Sequence, residues 1–208
     1  MKRGDDLESA LTYYLGDENL AKIRSTRIGI AGAGGLGSNC AFNLVRTGVR
    51  KLSIVDFDLV EHSNLNRQFY FLDQVGMMKV EALRINLQRI CPDIDLETST
   101  EKIEGSNIIE IFRDCDIVVE ALDNPRYKSM LVTKLLPIKK LIVSASGLAG
   151  VGRNDDIKVH RIKDNLVLIG DLSSDVESAP PLSPRVSMAA AKQADVVLEY
   201  LLGSDAKF

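Results

Sequence analysis

Five apolar runs of strand length occur in the first two thirds of this 208-residue chain, separated by helix-length amphipathic stretches: RIGIAG (27–32), KLSIVD (51–56), IDLETS (94–99), DIVVEA (116–121) and KLIVSAS (140–146). Strands alternating with helices must run parallel, because the chain travels back along each helix before entering the next strand. An α/β fold with a mainly parallel sheet and right-handed crossovers follows. LGSNCAFNLVRTG (36–48) reads as a helix ended by Gly48, a residue suited to a C-terminal cap. Residues 74–90 place Val80, Leu83, Leu87 and Ile90 on one helical stripe, with Lys79, Arg84 and Arg89 off it. SNIIEIFRD (106–114) and PRYKSMLVTKLL (125–136) supply two further crossover helices, the second opened by Pro125.

After residue 147 the rhythm changes. DIKVHRI (156–162) and NLVLIGD (165–171) lie too close together for a helix between them, so they read as a hairpin-like antiparallel extension of the sheet. SSDVESAPPLSPR (173–185) is polar and proline-rich, an exposed loop. VSMAAAKQADVVLEYLLG (186–203) then closes with Ala190, Ala194, Val197, Leu198 and Leu201 on one helical face. Residues 1–26 read as an N-terminal helical arm, and residues 1–208 as a single domain.

The net charge of −3, with acidic and basic residues mixed along the chain, argues against nucleic acid as a partner. Cys40, Cys91 and Cys115 are distant from one another and form no C-x-x-C pair, so a disulfide framework and a cysteine-rich zinc site are not expected. No apolar run nears the ~20 residues of a membrane span, and the opening segment lacks the apolar core of a signal peptide. A soluble protein in a reducing cytoplasm is the expectation.

GAGGLG (32–37) sets Gly32, Gly34 and Gly37 in a G-x-G-x-x-G pattern, with Gly35 between, directly after a strand and opening a helix. Glycines allow a tight turn and close backbone approach, and the helix N-terminus offers free N–H groups to a phosphate. Asp56 ends the second strand where a ribose-binding carboxylate belongs. A nicotinamide dehydrogenase would be the usual inference, but DFDLVEHSNLNRQFY (56–70) argues otherwise. Arg67 offers a bidentate fork for phosphate oxygens, Asn64 and Gln68 offer neutral donors, and Lys79 follows as a second point charge. A departing pyrophosphate needs such groups, whereas a hydride-transfer cofactor does not.

GAGGLGS, DFDLVEHSNLNRQF, VGMMKVEAL and ALDNPRYK, in this order and at these separations, resemble the ThiF/MoeB/HesA family of ubiquitin-activating-enzyme-like adenylyltransferases. The likeness extends to PPLSPRVSMAAAKQADVVLEYLLG at the end of the chain. It implies a Rossmann-like α/β fold with helices on both faces, a homodimer, ATP and Mg²⁺ as cofactors, and a small sulfur carrier protein ending in Gly-Gly as partner. That carrier's carboxylate becomes an acyl-adenylate, with the sulfur carrier of thiamine biosynthesis as the substrate suggested. By motif, Gly32, Gly34, Gly35, Gly37, Asp56, Asp58, Asn64, Arg67, Gln68 and Lys79 bind the nucleotide, with Asp56 on the ribose. Arg67, Lys79 and Asp123 carry the catalysis, and Asp123 holds the magnesium. Taken alone, Asp123 in DNP is equally a helix N-cap.

Larger relatives bind a structural zinc through two C-x-x-C pairs, and none exists here, so no zinc is expected. His62 and His160 read as turn or surface residues. Some relatives place a sulfur-transfer cysteine in a crossover loop, and the corresponding segment here, 171–185, has none. Cys40 and Cys115 read as core thiols, and Cys91, before Pro92, as the most exposed of the three. The family's N-terminal arginine that reaches the partner subunit's ATP has no counterpart in register, which leaves Arg3, Arg24 and Arg27 as substitutes. Two other readings stay open: adenylation of a different carboxylate, as in relatives that cyclise threonylcarbamoyl-adenosine in tRNA, and a non-catalytic scaffold.

Overall fold

A computed structural model describes residues 7–203. A kinked helix α1 (Leu7–Ser25), broken at Gly16, leads into β1 (Arg27–Ala31), α2 (Gly35–Arg46) and β2 (Lys51–Val55). α3 (Lys79–Gln88), β3 (Asp95–Ser99), α4 (Ile108–Ile111), β4 (Ile117–Glu120), α5 (Pro125–Leu135) and β5 (Leu141–Ala145) continue the alternation. β6 (Lys158–Lys163), β7 (Leu166–Gly170) and α6 (Ser183–Leu202) close it. The sheet order is β3-β2-β1-β4-β5-β7-β6, parallel throughout except for the β6–β7 pair.

Alternation along the strands divides the core in two. Ile28, Ile30, Leu52, Ile54, Ile117, Val119, Leu141 and Val143 face α1, α2, α3 and α6. Ala31, Val55, Val118 and Ile142 face α4 and α5. A period of two on a sheet covered on both sides produces this pattern, and it makes the central strands mostly apolar on both faces, with Ser53, Glu120 and Ser144 as buried polar exceptions. Phe112 is fully buried on the second face against Gly29, where a Cβ would come within 2.6 Å of its ring.

Three elements differ from the sequence reading. The helix expected over 74–90 is confined to Lys79–Gln88, because Gly76 turns into the left-handed region at φ +90° and Met78 is extended. Ahead of it, Leu72–Gln74 forms a separate short turn, held by Gln74 Nε2 donating to Asn86 Oδ1 at 2.9 Å. SNIIEIFRD forms only one helical turn, since the chain bends at Phe112 to bring that ring under the sheet. The last helix starts at Ser183, three residues early, with Pro184 in its first turn.

Arg185, expected in an exposed loop, is among the most buried charged residues. Its Nη2 meets Asp171 Oδ2 at 2.5 Å, and its Nη1 donates to Gly152 O at 2.6 Å. Asp171 Oδ1 in turn accepts from Ser173 N and Ser174 N. This buried pair pins both feet of the 172–182 segment. Cys91 is also a correction: it is buried beside the Arg50 guanidinium, because the helix end before Pro92 folds inward. Cys40 and Cys115 are core thiols as expected, and burial pushes Cys40 up to about 12. No helix among the described residues is long and apolar enough to cross a membrane.

Candidate active site

Strand order reverses between β1 and β4, and the loops leaving their C-terminal ends open a crevice of the kind where parallel sheets bind ligands. The glycine turn lies at its floor. Gly32 has φ +99°, and a Cβ there would sit 2.7 Å from Ala121 O; at Gly37 it would sit 1.8 Å from Gly32 O. Those two glycines are required by the turn's own packing. Gly35 is crowded by Val186 of α6, at 2.8 Å from its would-be Cβ. Gly34 is different. It has φ −76°, and a Cβ would meet nothing nearer than Gln68 Nε2 at 3.7 Å. Neither conformation nor a protein neighbour demands a glycine there, but a ligand laid on the backbone would.

No side chain caps α2 and no acidic residue occupies its first turn, so its N-terminal N–H groups and dipole favour an anion. Ser38 Oγ donates to Gly34 O and accepts from Phe69 N, while Asn39 Nδ2 donates to Gly35 O and to Arg67 O. These two side chains clamp the 63–69 segment onto the glycine turn. They were not singled out in the sequence, although GSN directly after the glycines was the available signal. Tyr70 was also missed: its buried hydroxyl donates to Ala33 O at 2.6 Å, bracing the turn from below.

Asp56 reaches the glycine turn. Its Oδ2 accepts from Ala33 N at 2.7 Å and its Oδ1 from Asp58 N at 2.8 Å. Burial pushes its carboxyl above the usual carboxylate range, and the Lys79 charge pulls it partly back. Lys79 is not a solvated helix charge. It is buried at the start of α3, its Nζ 2.7 Å from Asp58 Oδ2, with its two other protons unpartnered among the described residues. The Arg67 stem lies along Gly35, and its Nη1 donates to Ser63 O and Asn66 Oδ1. Its Nη2 and Nε have no partner among the described residues.

Gln68 is buried over Gly34 with its Oε1 unsatisfied, a condition that costs about 1–3 kcal/mol unless something else bonds to it. Asn64 is committed locally, its Oδ1 accepting from Glu61 N to hold the short turn His62–Asn64. Asp123 stands two residues beyond Ala121, whose carbonyl packs on Gly32. The cap of α5 is Asn124, which accepts from Arg126 N, so the capping alternative for Asp123 falls away. The exposed Asp123 carboxylate has no hydrogen bond or ion pair among the described residues. The groups brought to one crevice are therefore the glycine turn, Asp56, Asp58, Arg67, Gln68, Lys79 and Asp123. Arg24 and Arg27 lie elsewhere, paired with Glu8 and with Asp95, and Arg3 lies outside the described residues. His62 is exposed, and His160 on β6 contacts Gly170 O.

No group of three or more metal-ligating side chains exists among the described residues. An exposed carboxylate without a partner among the described residues, two residues beyond a carbonyl packed on the glycine turn, nevertheless fits Mg²⁺, which keeps several waters and takes one or two carboxylates with a substrate's phosphates.

A sequence profile described as the ThiF family matches residues 8–162. The "Adenylyltransferase and sulfurtransferase UBA4" of Eremothecium gossypii is 35% identical over 133 residues, covering 64% of this chain and 30% of that protein. The protein of the same name in Aspergillus clavatus is 37% identical over 140 residues, covering 67% and 28%. The chain thus spans less than a third of the length of these curated relatives. Among solved structures, E. coli tRNA N6-threonylcarbamoyladenosine dehydratase, TcdA, in complex with ATP overlays with a TM-score of 0.85 at 19% identity, covering 99% of each chain. E. coli MccB with AMPCPP and MccA gives 0.71 at 20% identity, over 88% of this chain and 57% of that one. At such identities these likenesses are likenesses of fold.

Proposed function

This chain belongs to the ThiF family, and from that premise we propose that it is an adenylyltransferase acting on the C-terminal Gly-Gly carboxylate of a small ubiquitin-fold sulfur carrier. The observation that supports this reading is the meeting, in one crevice, of an uncapped glycine turn, two cations with unused donors and a partner-free carboxylate. A carrier oxygen attacks the α-phosphorus of ATP, the bond from that phosphorus to the bridging oxygen breaks, and pyrophosphate leaves with the electron pair. No proton moves, so no general base is needed, and positioning and electrostatics carry the acceleration.

Asp56 holds the ribose hydroxyls. The α2 N-terminus and Gly34 receive the phosphates, and Gln68 offers its buried amide beside them. Arg67 and Lys79 counter the charge that grows on pyrophosphate, while Asn64 shapes the turn that carries Arg67. Magnesium, held by Asp123 and the phosphates, would neutralise charge on the nucleotide. The finer reading takes the carrier as that of thiamine biosynthesis and the protein as a cytoplasmic homodimer, one domain over 1–208. Incubation with ATP, Mg²⁺ and candidate carriers ending in Gly-Gly should yield a carrier heavier by one AMP, and no adduct on any of them would remove the reading. A second reading takes as substrate the threonylcarbamoyl carboxylate of a modified tRNA, after the name of TcdA, whose fold this chain shares. Substituting that tRNA in the same assay separates the two.

A further inference from the structure

Behind the crevice lies a buried polar cluster that the nucleotide reading leaves unused. Glu120, the last residue of β4, is fully buried. Its carboxylate accepts from Leu122 N at 2.8 Å, from Ser144 Oγ at 2.5 Å, and from Lys128 Nζ at 3.0 and 3.1 Å. Lys128, in the first turns of α5, also donates to Ala145 O at 3.1 Å. An ammonium has three protons, and all of its acceptors here are protein oxygens, so Lys128 has no donor left for a phosphate. From the other face of the sheet, Gln193 Nε2 fixes Glu120 O at 3.1 Å.

We propose that Glu120 is a positioning residue for Asp123, its carboxylate holding the 121–123 turn through Leu122 N while Lys128 pairs with it in the interior. The proposal rests on the adenylation reading, in which Asp123 meets magnesium. Two features support it. The turn is gripped immediately before Asp123, whose own carboxylate has no hydrogen bond or ion pair among the described residues, so its direction is set by the backbone at Leu122. An apolar pair of similar volume would also hold α5 against the sheet, often with no loss of stability, but it could not accept the Leu122 N–H. The cluster joins the ends of β4, β5 and α5 in one neutral unit and leaves Asp123 as the unpaired carboxylate at the mouth.

The test is Lys128→Met beside the double variant Glu120→Gln/Lys128→Met. In the single variant a buried carboxylate loses its counter-charge and cannot keep its place. In the double variant the neutral amide oxygen can still accept from Leu122 N with no charge to balance. Calorimetric ATP binding across a Mg²⁺ series should show the single variant needing about 10–100-fold more Mg²⁺, the usual cost of losing support behind a metal ligand. The double variant should return most of the way. Amide hydrogen exchange at Leu122, which needs no nucleotide, should show protection in the wild type, loss in the single variant and recovery in the double. A single variant with wild-type Mg²⁺ dependence and Leu122 protection would overturn the proposal. So would a double variant as impaired as the single, which would mean Lys128 acts directly, or a loss of protection spread across the whole sheet. Failure of the wild type to bind ATP at any Mg²⁺ concentration would instead strike the adenylation reading, and the exchange result would still judge the turn.

Discussion

Gly34→Ala is the sharpest probe of the phosphate cradle, because the structure separates what the substitution does to folding from what it does to binding. Its φ of −76° lies on the side of backbone space open to alanine, and the added Cβ would meet only Gln68 Nε2 at 3.7 Å, an ordinary contact. Stability should therefore change by no more than about 1 kcal/mol, a melting shift of roughly 2–4 °C for a chain of this size. Binding is another matter. A methyl group would stand where phosphate oxygens must approach the backbone, removing one or two hydrogen bonds to a charged group at about 1.5–3 kcal/mol each. ATP affinity measured by calorimetry should drop by at least about tenfold. Gly37→Ala is the contrasting control: its Cβ would lie 1.8 Å from Gly32 O, a backbone atom that cannot step aside. It should lose about 3 kcal/mol or more of stability, and nucleotide binding only as a consequence. A well-folded Gly34→Ala protein that binds ATP like the wild type would refute the idea that phosphates lie on this turn.

Asp123→Asn should melt normally, since Asn124 supplies the α5 cap, and should retain AMP binding while adenylation is lost or demands far more Mg²⁺; normal adenylation at ordinary Mg²⁺ would place the metal elsewhere. Arg67→Ala should lower turnover by about 10²–10³ with a modest change in ATP affinity, whereas Asp56→Ala should mainly weaken ATP; steady-state kinetics showing the reverse would exchange their roles. Burial raises the Asp171 carboxyl, but the N–H groups of Ser174 and Ser173 outweigh it and hold the pKa at about 2, below the ordinary 3.8. Its contribution to stability, about 2 kcal/mol, is thus fully present above the ordinary value and is lost as pH falls from about 4 towards 2. Denaturant titrations of wild type and Asp171→Asn should converge over that window, and parallel curves would contradict the assignment.

The central strands β1, β2, β4 and β5 were legible because they are buried on both faces and therefore mostly apolar, a signal that survives without knowing their neighbours. The hairpin pair β6–β7 was legible from the short spacing alone. Helix limits were not, since they are set by tertiary demands: α4 stops where Phe112 must turn under Gly29, and α3 begins late because Gly76 takes a left-handed conformation. The candidate-site groups could be named from their motifs, as the glycines, Asp56 and Arg67 are adjacent in pattern. What the motifs hid was support from afar. Glu120 reads as one polar residue at a strand end until Lys128, Ser144 and Leu122 are seen around it. Arg185 reads as loop until Asp171 is found beneath it. Burial of a charge depends on a partner distant in sequence, and no local pattern records that.

The buried Arg185–Asp171 pair has an evolutionary corollary. With Asp171 and Arg185 locked together, and Ala149 N and Gly150 N holding Ser174 Oγ and Pro180 O, the residues between Ser174 and Pro180 are tethered at both ends to a rigid frame. Lengthening such a tethered loop costs little, about 0.6 kcal/mol for each doubling. Descendants of this chain can therefore accumulate insertions there without unfolding the sheet or disturbing the nucleotide crevice, and a library for altered partner preference is best planted at residues 175–179.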